Sequence, residues 1–522
     1  MTRPVAGWEL NLETEHASAA HLPQFLRIAR AIANDARSGR LAPGSRLPGS
    51  RELARTLRVH RNTVLAAYQE LLAEGFLETQ RGRGTYLSKS LPDTRPRSWS
   101  KQHVPTRGAA QPRGAARERE RPGFAFEQPR SVTALPRHER GRTQLPRGAL
   151  ALFGGVPDTR LLPRAALARA YRRALTHKPE LLGYGDAAGE PSLRSALADM
   201  LRAKRGLDVS ADDILITRGA QMALALLGRL LIRPGDVIAV EQLGYQPAWR
   251  ALAQGVARLK PIAVDREGLC VDALSALCER EPVRAVYVTP HHQYPTTVTL
   301  SPARRMALLA LAQRRRFAIV EDDYDHEFHY EGRPILPLAS ADERGLVLYV
   351  GTLSKVFAPG PRVGYLIAPS VVREAALEAR LDLDRQGDRL GEHALAELIE
   401  DGELQRHMRR AQRIYQARRD HMVTLLQTEL SGLLTFDVPS GGMALWTNVA
   451  KELPTALWLS RAEELGVLTQ PGRLFTLDGR ERPNVRLGYA ALNEDELTRA
   501  VTRLKRAAHE SISKPRTRRR SS

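Results

Sequence analysis

The chain has 522 residues, a formal charge of +21 at pH 7 and 43% hydrophobic side chains, which predicts two to four domains with at least one large core. No run of about 20 apolar residues occurs, so no membrane span is expected, and Met1 to Leu10 carries no apolar stretch after its basic residue, so no signal peptide is expected either. The two cysteines, Cys270 and Cys278, are too few for a disulfide framework and match no metal-ligand spacing, so the expectation is reduced thiols, a cytoplasmic location and no metal. The surplus of positive charge points to a polyanionic partner, nucleic acid first, although a general bias toward arginine gives the same number.

Composition divides the chain into four stretches. Residues 19–88 are patterned and compact. Residues 89–147 are rich in Arg, Pro, Gly and Ser and read as an extended basic linker. Residues 148–512 return to globular composition, and 513–522 read as a basic tail.

In the first stretch Phe25, Ile28, Ala29 and Ile32 fall on one helix face. Pro43-Gly44 and Pro48-Gly49 break the chain, and a short helix follows with Leu53, Ala54 and Leu57 inward. A third helix presents Val64, Ala67, Tyr68, Leu71 and Leu72, and ends at Gly75. Phe76 to Thr79 and Gly84 to Leu87 alternate like two strands, joined by a turn of Gln80, Arg81, Gly82 and Arg83. Three helices and a β-ribbon make a winged helix-turn-helix. At the start of its third helix Arg61, Asn62 and Thr63 lie off the buried face, where such motifs meet base edges in the major groove of double-stranded DNA; arginine can bond guanine twice and asparagine adenine twice. Arg51 opens the preceding helix within reach of phosphate, and Arg81 and Arg83 on the wing can follow the backbone. A solvated basic helix in a dimerisation module is the weaker alternative.

The stretches Gly39 to Pro48, Ser50-Arg51-Glu52-Leu53-Ala54, Arg61-Asn62-Thr63-Val64, Ala73-Glu74-Gly75 and Gly82-Arg83-Gly84-Thr85 resemble the GntR family of bacterial winged-helix regulators. Gly49 and His60 stand where that family usually has serine, which weakens the caps of the second and third helices.

In the third stretch, apolar runs at Val237 to Val240, Ala285 to Val288, Phe317 to Val320, Leu346 to Val350 and Val363 to Ile367 alternate with helical patterns, the signature of an α/β fold with a largely parallel sheet. Ligands in such folds sit beyond the carboxyl ends of the strands, so the polar residues that follow the runs carry the chemistry. These include Asp322 and Tyr324 after one run, Thr352, Ser354 and Lys355 after another, then Arg362, and Ala220 and Gln221 at the start of a helix. A strand-end lysine can form a Schiff base, an arginine can grip a phosphate, and a helix N-terminus offers the same anion free N–H groups. A carboxylate can hold a protonated ring nitrogen.

From Phe153-Gly154-Gly155-Val156-Pro157-Asp158 to Arg486-Leu487-Gly488-Tyr489 the sequence resembles the fold-type I enzymes dependent on pyridoxal 5′-phosphate (PLP), the class I aminotransferases. The resemblance implies that Lys355 would hold PLP as a Schiff base, Asp322 would pair with the ring nitrogen, and Tyr324 would bond the ring hydroxyl. It implies that Tyr245 would stack on the ring, and that Ala220, Gln221, Thr352, Ser354 and Arg362 would hold the phosphate, joined by Tyr184 from a partner subunit. Arg486 would bind an α-carboxylate. Tyr294 and Thr297 replace the Asn and Gly of the usual Asn-Pro-x-Gly stretch, a departure that weighs against efficient transamination.

The order of modules resembles the MocR/GabR-type regulators. That resemblance implies a head-to-tail homodimer, binding to DNA half-sites, and control by a small amino compound that reacts with PLP. A transaminase that also binds DNA, a sensor of PLP itself, and a repressor that has lost the cofactor remain as alternatives; a physiological enzyme is not the favoured expectation.

Overall fold

A computed structural model describes Trp8, Leu10 and residues 23–80, 84–91, 146, 148–332 and 335–513. Its contacts divide the chain into two units, Met1–Gly123 and Phe124–Ser522. Most of the linker stretch, the wing residues Arg81, Gly82 and Arg83, and the tail beyond Ser513 lie outside the described residues.

In the first unit, α1 (Gln24–Arg37), α2 (Ser50–Thr56) and α3 (Arg61–Ala73) enclose a small apolar core. The faces are those the helical spacing predicts: Ile28, Ala29 and Ile32 from α1, Leu53 and Ala54 from α2, and Val64, Ala67, Tyr68 and Leu71 from α3. Gly49 caps α2 without a side-chain bond. His60 is a working cap, its Nδ1 accepting from the Asn62 N–H at 3.3 Å, which gives this departure from serine a structural role. Gly75, at φ +77°, reverses the chain after α3. β1 (Leu77–Gln80) then pairs antiparallel with β2 (Gly84–Leu87). Gln80, expected in the turn, is instead the last residue of β1 and pairs with Gly84, because the ladder needs one more rung to close the ribbon.

The second unit is built on seven strands: β3 (Ile214–Thr217), β4 (Val237–Glu241), β5 (Arg258–Ile262), β6 (Val283–Val288), β7 (Ala318–Asp323), β8 (Val347–Thr352) and β9 (Gly364–Ile367). They lie in the order β3-β9-β8-β7-β6-β4-β5. β8, β7, β6, β4 and β5 are parallel neighbours, whereas β9 runs antiparallel to both β8 and β3. The reversal follows from chain length: residues 353–363 are too few for the crossover that a parallel connection requires. Both faces of the sheet are covered, so every residue of β3, β4 and β8 is buried. This is why the runs read as unbroken apolar stretches rather than as alternating ones.

α4 (Ala220–Leu231) follows β3, and the 27-residue α5 (Glu403–Glu429) leads to a smaller antiparallel sheet. That sheet contains β10 (Leu434–Thr435), β11 (Ala444–Val449), β12 (Gln470–Pro471) and β13 (Asn484–Gly488), in the order β10-β11-β13-β12. Among the described residues no helix is long and apolar enough to cross a membrane.

One packing constraint ties β9 to the start of α4. A Cβ on Gly364 would lie 2.5 Å from the Gly219 carbonyl carbon and 2.7 Å from the Ala220 nitrogen. Gly364→Ala therefore has to push the helix start off the sheet, at a cost of about 1–3 kcal/mol. Chemical denaturation of the variant should show a lower midpoint for the large unit; an unchanged midpoint would mean that the backbone there yields freely.

Candidate cofactor pocket and DNA-reading face

In the first unit Arg51, Arg61 and Asn62 are exposed and Thr63 is half-buried. Their exposure follows from the core: with Val64, Ala67 and Leu71 turned inward, the opposite face of α3 is left to solvent. Arg61 Nε donates to Ser50 Oγ at 3.4 Å, which links the starts of α2 and α3. Tyr68 Oη donates to the Pro48 carbonyl at 2.8 Å and fixes α3 against the turn before α2. Arg81 and Arg83 belong to the wing tip, outside the described residues.

In the second unit, the end of β7 distributes three consecutive acids by strand alternation. Glu321 and Asp323 both turn into the fold, where Asp323 is paired through Oδ2 and its Oδ1 has no partner. Glu321 accepts from the backbone N–H groups of Leu338 and Ala339, and Asp323 pairs with Arg205 at 3.1 Å and with Tyr349. Asp322 points the other way. Its Oδ2 accepts from Tyr287 Oη at 2.7 Å, and its buried Oδ1 has no partner. Burial raises its pKa to about 6, opposed by the Tyr287 bond and the charge of Lys355.

Lys355 lies in the turn that follows β8. Its Nζ is 3.6 Å from where a Cβ on Gly155 would stand, and Gly155 itself has φ +73°, so glycine leaves the space beside the amine open. Burial, then the Arg486 guanidinium, lower the amine to about 8, against the pull of Asp325 and Asp322. Arg486 comes from the middle of β13, opposite Trp446 and Gln470. It is 0% exposed, and none of its three guanidinium nitrogens has a hydrogen-bond partner. A Cβ on Gly154 would collide with it at 2.1 Å. An unpaired cation so deeply buried is costly, and its presence is the strongest mark of an anion-binding function in the pocket.

At the far end, Gly219 (φ +74°) opens α4, and Ala220 and Gln221 supply its first N–H groups. The Gln221 side chain is engaged elsewhere, donating to the Pro247 carbonyl at 2.7 Å. Arg362, in the left-handed region at φ +57°, donates to the Arg218 carbonyl at 3.2 Å and crosses in front of Gly219. Thr352 and Ser354 are linked by their hydroxyls at 3.0 Å. Helix start, guanidinium and two hydroxyls form an anion seat.

Aromatic rings wall the pocket. Tyr294 meets Tyr245 at 5.4 Å, Tyr324 at 6.0 Å and Phe475 at 5.5 Å between centroids, and the Arg486 guanidinium lies over its ring at 4.2 Å. Tyr324 Oη donates to the His292 carbonyl at 2.8 Å. Thr297 holds φ +66°, a left-handed conformation that a β-branched residue adopts only under strain, so the fold keeps the backbone that a glycine would take more easily. Tyr184 is 79% exposed, with Arg385 over its ring at 4.3 Å; it is displayed outward rather than drawn in among these residues.

A doubly covered α/β sheet with a lysine, a carboxylate and a cluster of anion-binding donors at its strand ends, in a chain that also carries a winged helix, defines a DNA-binding protein with a PLP-binding aminotransferase domain. A family model described as "Aminotransferase class I and II" matches residues 152–504, and one described as "Bacterial regulatory proteins, gntR family" matches residues 25–87. "HTH-type transcriptional regulator TauR" of Rhodobacter capsulatus is 30% identical over 92% of this chain and 96% of its own length. "Probable rhizopine catabolism regulatory protein MocR" of Rhizobium meliloti is 29% identical over 94% of each. The solved structure of LysN, an alpha-aminoadipate aminotransferase from Thermus thermophilus, superposes with a TM-score of 0.66 at 28% identity, covering 70% of this chain and 94% of that one. The chain belongs to the MocR-type family of GntR transcriptional regulators. Its cofactor is PLP, and the partnerless Asp322 Oδ1, the cradle at Gly219 and the open space beside Lys355 fit that group.

Tyr287 and Gln470 escaped the sequence reading. Tyr287 sits inside an apolar run, and only its hydroxyl, aimed at Asp322, marks it. Gln470 Oε1 accepts from the Gly154 N–H at 2.9 Å, a contact across 316 positions that no local pattern encodes.

The depressed amine makes a prediction. The neutral form of Lys355 is the reactive one, so uptake of PLP by cofactor-free protein should rise with pH to a half-maximum near the value of about 8. Arg486→Gln removes a positive neighbour and should move that midpoint upward. Stopped-flow absorbance measures both, and a midpoint at the pKa of a free lysine would show that the amine is not held in this environment.

Proposed function

We propose that this regulator senses a primary amine that also carries a carboxylate, and that occupancy of the PLP pocket sets its affinity for DNA. The observation that carries the reading is Arg486, a fully buried guanidinium without a hydrogen-bond partner, close enough in charge to Lys355 to depress its amine. When bound, PLP supplies an aldehyde that condenses reversibly with primary amines.

In this reading Lys355 holds the cofactor covalently, and Asp322 keeps its ring nitrogen protonated. Tyr324 would bond the ring hydroxyl and Tyr245 would stack on the ring. Ala220 and Gln221 (through backbone), Thr352, Ser354 and Arg362 hold the phosphate. The exposed Tyr184 would complete the phosphate seat of a second subunit in a head-to-tail homodimer. Arg486 takes the effector carboxylate. Arg51, Arg61, Asn62 and Thr63, with Arg81 and Arg83 on the wing, contact DNA in the cytoplasm, and residues 89–147 tether the two modules. An effector changes DNA affinity only by binding one arrangement of the dimer better than another.

The test is DNA binding to the protein's own promoter region, with PLP present, across amines with and without a carboxylate. Carboxylated amines should shift the affinity, and Arg486→Ala should abolish their effect. An equal response to amines lacking the carboxylate would remove Arg486 from this role. A response to PLP alone would favour a cofactor sensor, and multiple turnovers would favour an enzyme.

Lys355→Ala should lose the borohydride-fixed PLP adduct while keeping fold and basal DNA binding; loss of all three would contradict the separation of the two modules. Arg61→Ala should weaken specific binding by about 1–3 kcal/mol, checked by footprint and by affinity for operator against random DNA.

A further inference from the structure

Behind the pocket wall lies a histidine cluster that the cofactor reading does not use. His291 and His292 follow the end of β6, and His329 lies beyond β7, bridged to Gly441. One ring nitrogen from each of these three lies within 4.8 Å of the others. His291 is 5% exposed and His292 1%. Both ring nitrogens of His291, Nε2 of His292 and Nδ1 of His329 are buried without a hydrogen-bond partner. Buried polar atoms in folded proteins are paired in roughly 90% of cases or more, so orphan nitrogens converging on one point call for an occupant.

Nδ1 of His292 bonds Asp325 Oδ1 at 2.8 Å, which leaves Nε2 turned to the cluster. This is the carboxylate–histidine arrangement that orients metal ligands. Gly441 is part of the site: a Cβ there would lie 2.5 Å from His292 Nε2. Arg205, a cation acting on His291, is neutralised by Asp323 and Glu327. Half-buried His329 gives the solvent side.

We propose that His291, His292 and His329 form a site for a divalent transition metal, with Asp325 as the outer partner of His292. An all-imidazole set suits Zn²⁺, Ni²⁺ or Cu²⁺ rather than Mg²⁺ or Ca²⁺. With metal–nitrogen bonds of about 2.1 Å the ligand atoms must stand about 3.4 Å apart in a tetrahedron, so the rings close inward on binding. His329 stands more than thirty positions from the adjacent pair His291 and His292, which is why the spacing along the chain carries no metal signal.

The experiment uses tag-free, full-length protein stripped of metal, titrated with Zn²⁺ by calorimetry and with Co²⁺ by visible absorption. One ion per chain and the intense bands of low-coordinate Co²⁺ are expected. His329→Gln and His291→Asn should each weaken binding at least about tenfold, while His421→Gln, on the exposed face where His421 meets Thr498, should change nothing. No stoichiometric binding by the parent protein, or equal affinity in the variants, would overturn the site and leave a water-filled polar cavity. If His291→Asn fails to fold, the less buried His329→Gln decides.

Discussion

The second unit is organised around unpaired charge held out of water. Asp322 and Arg486 are buried and Lys355 is half-buried, and the charges of Arg486 and Asp322 both act on the Lys355 amine. Such charges persist in a fold only when the surrounding structure is strong enough to carry their desolvation. Here the doubly covered sheet supplies that strength, with β7 and β8 fixing two of the charges at adjacent strand ends and β13 delivering the third. On the opposite face of the same strand, Asp323 pairs with Arg205 and Glu321 accepts from two backbone N–H groups. What sets Asp322 apart is the absence of a cation bonded to it, since Asp323 has Arg205.

Much of this was legible in the sequence because parallel strands covered on both faces leave unbroken apolar runs, and because polar residues directly after such runs have few structural reasons to be there. Asp322, Thr352, Ser354, Lys355 and Arg362 were singled out in that way. The helix-turn-helix was legible for a different reason: its three short helices each carry a narrow apolar face that only mutual packing can bury.

What was not legible depends on distance through space. The reversed direction of β9 follows from the length of a turn, not from the residues of the strand, which read the same in either direction. Tyr287 looks like any aromatic residue in a core strand until its hydroxyl is placed against Asp322. His60 appeared a poor substitute for serine, yet its ring nitrogen reaches the N–H that a hydroxyl would have taken. The histidines at 291, 292 and 329 form a cluster only after two loops and the Gly441 segment are brought together.

The placement of the two basic anchors has a mechanical consequence. Lys355 follows a strand of the large sheet, whereas Arg486 projects from the small one. The proposed phosphate seat is fixed to the large sheet, because Gly364 and Gly219 pack backbone to backbone with no room for slack. A molecule gripped at its nitrogen end by one layer and at its acidic end by the other is a spacer bar between them. In the proposed reading its length, counted in carbon atoms, would set how far the two layers stand apart, and homologous ligands differing by one methylene would serve as a ruler for that separation.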